Sequence, residues 1–318
     1  MQVDCRKRIA TRRGYVLMVV IAVSVLVITV LGSLATQSLR RGLAAADAER
    51  SLQQRWGALT LETELLYAAP KVFELQHELA KQQSPPVRPP STIRAALTLN
   101  GITFDLLLGD EDAKLSLNAM YHHVGQQKTE AAILEMVGPV GRSAVRMLPA
   151  SKPQQIAREN TRLNRQPEDA DDESVIPDAF RSWGEVFDLA NLEHGVGSDA
   201  GLPNLTTSMT CWGNGQLNFQ RASDNAILAV IGSIIQDGGA QRILSRYQKN
   251  PLVDLEILLQ SEVSNRKHRD ELKQLLSQAS TNFSIWIDAS SRASGSVRTF
   301  TVTRRDSEGV TRQSKFMH

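Results

Sequence analysis

An unbroken run of uncharged residues from Tyr15 to Leu39 precedes a long stretch whose apolar positions recur with helical spacing. The 25 residues of the run exceed the roughly 20 needed to cross a hydrocarbon core. Beyond Arg40 and Arg41, Leu52, Trp56, Leu59 and Leu66 fall on one helical face, with Arg55, Glu62 and Glu64 elsewhere. No proline lies between Tyr15 and Pro70. The pattern therefore predicts one helix from Tyr15 to about Ala69, ~80 Å long, with amphipathic character assigned through residues 40–83.

After the prolines at 85, 86, 89 and 90 the period changes to two. Ile93, Ala95, Leu97 and Leu99 alternate, Asn100-Gly101 supplies a type I′ turn, and Ile102, Phe104, Leu106 and Leu108 alternate back. A turn through Gly109 to Asp112 and a short strand from Lys114 to Leu117 follow. Helices are then expected over Ala131–Val137 and Ala179–Leu192, with a polar excursion at Arg158–Ser174 between them. Met209 and Cys211 begin a second strand region that turns at Gly213-Asn214-Gly215 and continues through Leu217 and Phe219. Ser223 or Asp224 should cap an apolar helix, Ile227–Ile235, closed by Gly238-Gly239. Helical pieces at Ile243–Tyr247, Leu252–Leu259 and Leu272–Leu276 lead to strands at Ser284–Ile287, Val297–Thr303 and Val310–Phe316, the last two joined by a turn at Asp306–Gly309.

This ordering divides the chain into a basic opening (1–14), a transmembrane half-helix (15–39) and an amphipathic half (40–83). A linker with the first strands (84–118), a helical insertion (119–205) and a second block of strands and helices (206–318) complete it. The expected fold class is α+β: a long N-terminal helix packed on an antiparallel sheet, with a helical insertion domain.

Charge sharpens the picture at the N-terminus. Arg6, Lys7, Arg8, Arg12 and Arg13 against Asp4 give the opening segment +4, so of the formal +2 the remainder carries 2 − 4 = −2. That leaves no basic tract for nucleic acid and places the N-terminus on the cytoplasmic side. The only cysteines are Cys5 and Cys211. If the opening segment is removed, Cys211 is left as a lone thiol.

Three readings of the start fit these residues. One is a signal peptide cut near Ser33-Leu34-Ala35, its apolar region rather long; another is an uncleaved anchor. The third comes from Arg12-Arg13-Gly14, then Tyr15 and a continuous apolar helix, which resembles the class III leader of type IV pilins and type II secretion pseudopilins. In that family a membrane peptidase cuts after the glycine, here Gly14, and the new N-terminus, here Tyr15, is methylated. Major pilins carry Glu at the fifth mature position, where this chain has Val19; its absence resembles the K-type minor pseudopilin, expected at the filament tip. Asp110-Glu111-Asp112-Ala113-Lys114-Leu115-Ser116-Leu117-Asn118 is similar to the K-type motif, with Ala113 for Gly and Ser116 for the first Asn. Leu217-Asn218-Phe219-Gln220-Arg221-Ala222 is similar to a second motif, from which Gln220 and Arg221 depart. Ser280-Thr281-Asn282-Phe283 resembles the step into the final strands.

The resemblance implies a non-enzymatic, single-pass inner-membrane protein with a periplasmic head. Its expected partners are other minor pseudopilins and the pseudopilus, the prepilin peptidase and the inner-membrane secretion platform. Within the motifs, Asp110, Glu111, Lys114, Asn118 and Asn218 are read as architecture, with Asn118 and Asn218 capping the passages from sheet into helix. Ala22, Ser24, Gly32, Ser33 and Ala35 would allow close approach of neighbouring helices.

Catalytic chemistry finds no support. His122 and His123 are adjacent, so on a helix they diverge by about 100° and lack a ligand partner. No cofactor is expected. Some K-type subunits bind calcium in the insertion, which makes Glu168, Asp169, Asp171, Asp172 and Glu173 a candidate loop. The missing glycine turn and alternate spacing favour a solvated acidic loop instead.

Overall fold

The computed structural model describes residues 7–149, 179–191, 206–235, 237–251, 253–291, 296–305 and 311–317. Helix α1 (Lys7–Gln82) is followed by β1 (Thr92–Leu99), β2 (Ile102–Asp110), β3 (Leu115–Ser116), α2 (Leu117–Val124) and α3 (Gln126–Gly141). Next come β4 (Met209–Thr210), β5 (Leu217–Asn218), α4 (Asp224–Ile234), α5 (Asp237–Lys249), α6 (Leu255–Glu262) and α7 (Arg266–Leu275). The chain closes with β6 (Leu276–Ser277), β7 (Phe283–Ser291), β8 (Val297–Arg305) and β9 (Thr311–Met317).

At 76 residues α1 is about 114 Å long. Every residue from Tyr15 to Leu39 is exposed in the isolated chain, and this stretch is long and apolar enough to cross a membrane. Three of its hydroxyls bond back to the helix: Thr29, Ser33 and Thr36 donate to the carbonyls of Val25, Val30 and Ser33, each at 2.8 Å. The helix does not stop near Ala69 but runs through Pro70 to Gln82. Pro70 faces solvent, while Ala69 and Phe73 on either side are buried against the sheet, with Phe73 stacked on Phe283 at 5.5 Å. Tertiary packing thus carries the helix across a residue that would end it in isolation.

The sheet is five-stranded and antiparallel, in the order β1-β2-β7-β8-β9. Asn100 and Gly101, with φ of 50° and 76°, form the two-residue connection between β1 and β2. Both central φ values must be positive in a type I′ turn, which suits Asn and Gly. One sheet face, built from Ile102, Phe104, Leu106 and Leu108 of β2 and Phe283, Ile285, Ile287 and Ala289 of β7, closes over Ala58, Leu66, Ala69 and Phe73 of α1. The other, with Leu107, Trp286, Phe300 and Val302, joins a second core shared with the segment between β2 and β7. The sheet is therefore a middle layer between α1 and the helices of residues 111–282.

Four sequence expectations change. Leu52, Trp56 and Leu59 do not face the sheet: they are 55%, 61% and 42% exposed. The buried row is Gln54, Ala58, Glu62, Leu66, Ala69 and Phe73. Apolar spacing missed it because two members are polar and gain partners only in the fold: Gln54 donates to Ala289 O at 3.4 Å, and Glu62 accepts from Gln313 (3.0 Å) and Lys315.

The helix expected over Ala179–Leu192 is instead a 3₁₀ turn at Trp183–Glu185, with α-helix beginning only at Leu189. Arg146 and Met147 donate to Val186 O, and Asp188 to Ala144 O, so this backbone pairs with residues 144–147 rather than with itself. The strands flanking Gly213-Asn214-Gly215 do not continue one another; β4 pairs with β3 and β5 with β6, both parallel. Finally, Gly238 and Gly239 lie in the first turn of α5 instead of closing α4, which ends at Ile234 after starting from its cap Ser223. The excursion at 158–174, the turn at 306–309 and Cys5 lie outside the described residues.

Candidate functional site

At the end of β2 the chain buries three consecutive carboxylates, Asp110, Glu111 and Asp112. Buried charge is tolerated only when paired and hydrogen-bonded, and each of the three is. Asp110 caps the short 3₁₀ turn Glu111–Ala113, accepting from the N–H groups of Asp112 (3.1 Å) and Ala113 (3.2 Å). Its other oxygen receives Arg221 at 2.9 Å and Ser280 at 2.7 Å. Glu111 is held by Lys114, Thr210 and Ser284, and the Lys114 ammonium is itself buried. Asp112 accepts from Asn214 N (2.8 Å), Thr281 N (2.7 Å), Asn282 N (3.0 Å) and the side chains of Thr281 and Asn282.

Loss of water pushes the Asp112 carboxyl up to about 6, against the pull of its backbone N–H donors. Asp110 is raised for the same reason, offset by Ser280 and Arg221.

The residues that depart from the family motifs have work in this structure. Ser116 is the N-cap of α2, accepting from Ala119 N at 3.3 Å. Asn118 is therefore not that cap. It ties three distant segments, donating to Phe180 O (3.0 Å) and Cys211 O (2.7 Å) and accepting from Phe180 N (2.8 Å). Asn218 accepts from Gln220 N at 3.1 Å, a side-chain turn onto its own backbone, and donates to Ser280 at 2.6 Å. Arg221 reaches from Asp110 to Phe73 O at 3.0 Å, with its guanidinium 5.3 Å from the Phe73 ring. It clamps the long helix to the cluster. A second clamp comes from the proline-rich linker, where Arg88 pairs with Asp224 and lies over Tyr247 at 4.8 Å.

Thus Asp110, Glu111, Lys114 and Asn218 meet in one network with Thr210, Arg221, Ser280, Thr281, Asn282 and Ser284. Sequence reasoning singled out the first four; Arg221 was visible only as a departure. Each of the six carboxylate oxygens accepts at least one hydrogen bond from the protein. Among the described residues, no group of three or more His, Cys, Asp or Glu is disposed to hold a metal. The acidic residues Glu168, Asp169, Asp171, Asp172 and Glu173 lie outside the described residues. His122 and His123 are exposed and meet edge to face at 5.1 Å. Cys211 is buried.

The small residues of the apolar half do not share one face. At 100° per residue, Ala22 and Ser33 fall together and Ser24 and Ala35 together about 160° away, with Gly32 between. A Cβ added at Gly32 would meet nothing within 4 Å in the isolated chain.

No protein-family model matches this chain, and no curated protein matches it. Among solved structures, a similar chain belongs to the crystal structure of the GspK-GspI-GspJ complex from the enterotoxigenic Escherichia coli type 2 secretion system. The two share 15% identity over 86% of this chain and 99% of that one, with a TM-score of 0.48, too distant a likeness to assign a family.

Proposed function

We propose that this chain is a pilin-like assembly subunit, a minor pseudopilin of the K type in a type II secretion system. In this reading prepilin peptidase removes the leader after Gly14 and Tyr15 becomes the methylated N-terminus. The rod from Tyr15 to Leu39 first anchors the subunit in the inner membrane, with the head in the periplasm. It then exchanges lipid for the rods of other minor pseudopilins on the secretion platform. Val19, in place of a carboxylate, suits a tip subunit with no amine above it to receive. The work is assembly, not catalysis.

One observation carries this reading: a single helix is a bare apolar rod in its first half and a structural layer of the head in its second. A cleavable signal peptide has no reason to be continuous with a helix whose far half is built into the domain. The test is the mass of the N-terminus in protein recovered from cell membranes. A start at Tyr15 is expected; retained residues 1–14 would leave a plain anchor, and a start near Thr36 would leave a released protein. Genomic neighbours encoding a secretin and secretion ATPase, rather than a retraction ATPase, separate secretion from a type IV pilus.

A further inference from the structure

The apolar half of α1 ends in charge on the side where charge is least expected. Arg40 and Arg41 follow Leu39 directly, and both are exposed. In the anchored reading they stand on the head side of the bilayer, where basic residues close to a span are the minority. Among the described residues, no side-chain hydrogen bond or ion pair involves either of them. The next acid along the helix, Asp47, is six residues above Arg41, about 9 Å along the axis, and faces Arg50 at 3.9 Å. The two cations need a counter-charge that the described residues do not supply.

Helix length says where that counter-charge lies. Gly14 and Arg40 are 26 residues apart on one continuous helix, or about 39 Å at 1.5 Å per residue. A hydrocarbon core is about 30 Å thick, and a bilayer with its polar layers about 40–45 Å. With Gly14 at the cytoplasmic surface, Arg40 and Arg41 reach the phosphate layer of the far leaflet without any tilt of the rod. Successive helical residues diverge by about 100°, so each guanidinium is offered to a separate neighbour.

We infer that Arg40 and Arg41 each bind the phosphate of an anionic phospholipid in the leaflet on the head side. A guanidinium meets a phosphate with two parallel N–H donors, and an anionic headgroup adds attraction over a longer range. The pair thereby fixes the height of the rod. A rod that leaves the bilayer for a filament must give these phosphates up.

This inference rests on the anchored reading, and its test tells the two apart. The full chain and Arg40→Gln/Arg41→Gln are each purified from vesicles of phosphatidylcholine and phosphatidylglycerol in equal parts, and the phosphatidylglycerol retained per chain is counted by native mass spectrometry. Residues 1–14 are the same in both, so any lipid they hold cancels in the difference. The variant should retain about two fewer phosphatidylglycerol molecules, one per guanidinium, with the phosphatidylcholine count and the head's melting unchanged. Arg40→Lys/Arg41→Lys, which keeps the charge but not the paired donors, should fall between them. Equal counts in the wild type and the Gln variant overturn the inference and would leave the pair to an acidic neighbour in an assembly. Uptake of inorganic phosphate by the lipid-free chain, lost in the Gln variant, overturns it as well, since the ligand would then be a free anion. Flotation of the same vesicles tests the anchor independently: a chain that floats without the lipid preference sinks this inference alone, and a chain that does not float sinks both.

Discussion

From Tyr15 to Leu39, α1 exposes every side chain, whereas from Gln54 to Phe73 it buries one row, at three- and four-residue steps, against a sheet. The apolar half has no partner in its own chain. The mixed half has several, chiefly the apolar face of β2 and β7, with Gln313 and Lys315 as polar partners of Glu62. The longest apolar run of α1 is therefore not what packs on its own sheet, and burial within the chain follows a shorter row, Ala58, Leu66, Ala69 and Phe73, that includes the polar Gln54 and Glu62. The two halves should respond differently to substitution, and that difference can be broken in order of size.

The largest effect belongs to the cluster that fastens the second half. Asp110→Ala leaves the half-buried Arg221 guanidinium without its carboxylate and Ser280 without its acceptor, and should cost about 3–5 kcal/mol. Thermal unfolding followed by fluorescence of the buried head tryptophans, Trp183, Trp212 and Trp286, reads this directly. Lys114→Met should cost a similar amount by stranding Glu111, and the added change Glu111→Gln should recover part of it. Full stability in either single variant would mean that the network does not fasten the head.

Next comes pH. The Asp112 carboxyl titrates near 6 in the fold against about 4 in the unfolded chain. A raised carboxylate binds its proton more tightly when folded, so its contribution is full below pH 4 and is lost as pH rises through 6. Asp110 adds in the same direction. His77, lowered by burial and by Lys81 and Arg221, opposes this nearer its own range, favouring the fold as pH rises. The head should therefore melt higher at pH 4.5 than at pH 6, and Asp112→Asn should flatten that slope. An unchanged slope in the variant would move the effect to another group.

Much of this architecture was legible in the sequence, for local reasons. The β1–β2 hairpin follows from strict alternation about Asn100-Gly101, and β7 to β9 from alternation near the C-terminus. What was hidden depends on distant partners. β3 and β5 are two residues long and exist because Leu115 meets Met209 and Leu217 meets Leu276. The charged motif at Asp110, Glu111 and Lys114 could be flagged, but not the donors that satisfy it, since Thr210, Arg221, Ser280 and Asn282 come from far along the chain. Arg221 looked like a lapse from a pattern and is the clamp between α1 and Asp110.

A smaller effect tests the contact face itself. A Cβ at Gly57 would lie 2.6 Å from the Phe104 ring, so the helix accepts a residue of poor propensity in order to approach the sheet. Gly57→Leu should cost about 1–3 kcal/mol by overpacking, and Phe104→Ala should partly rescue it. Without rescue in the double variant, the close approach is not the cause.

The smallest change in head stability, within about 0.5 kcal/mol, is expected for Gly32→Leu, which touches nothing in the chain. Its effect should lie elsewhere: a bulky side chain on the bare rod keeps neighbouring helices apart, so recovery of sister subunits with the chain should fall while the start at Tyr15 is kept. Normal recovery would show that the face bearing Gly32 is turned to lipid or solvent. The same substitution made at Ala22 and at Ser24, on opposite sides of the rod, would then identify which face meets a neighbour, since only one of them need lie in a contact.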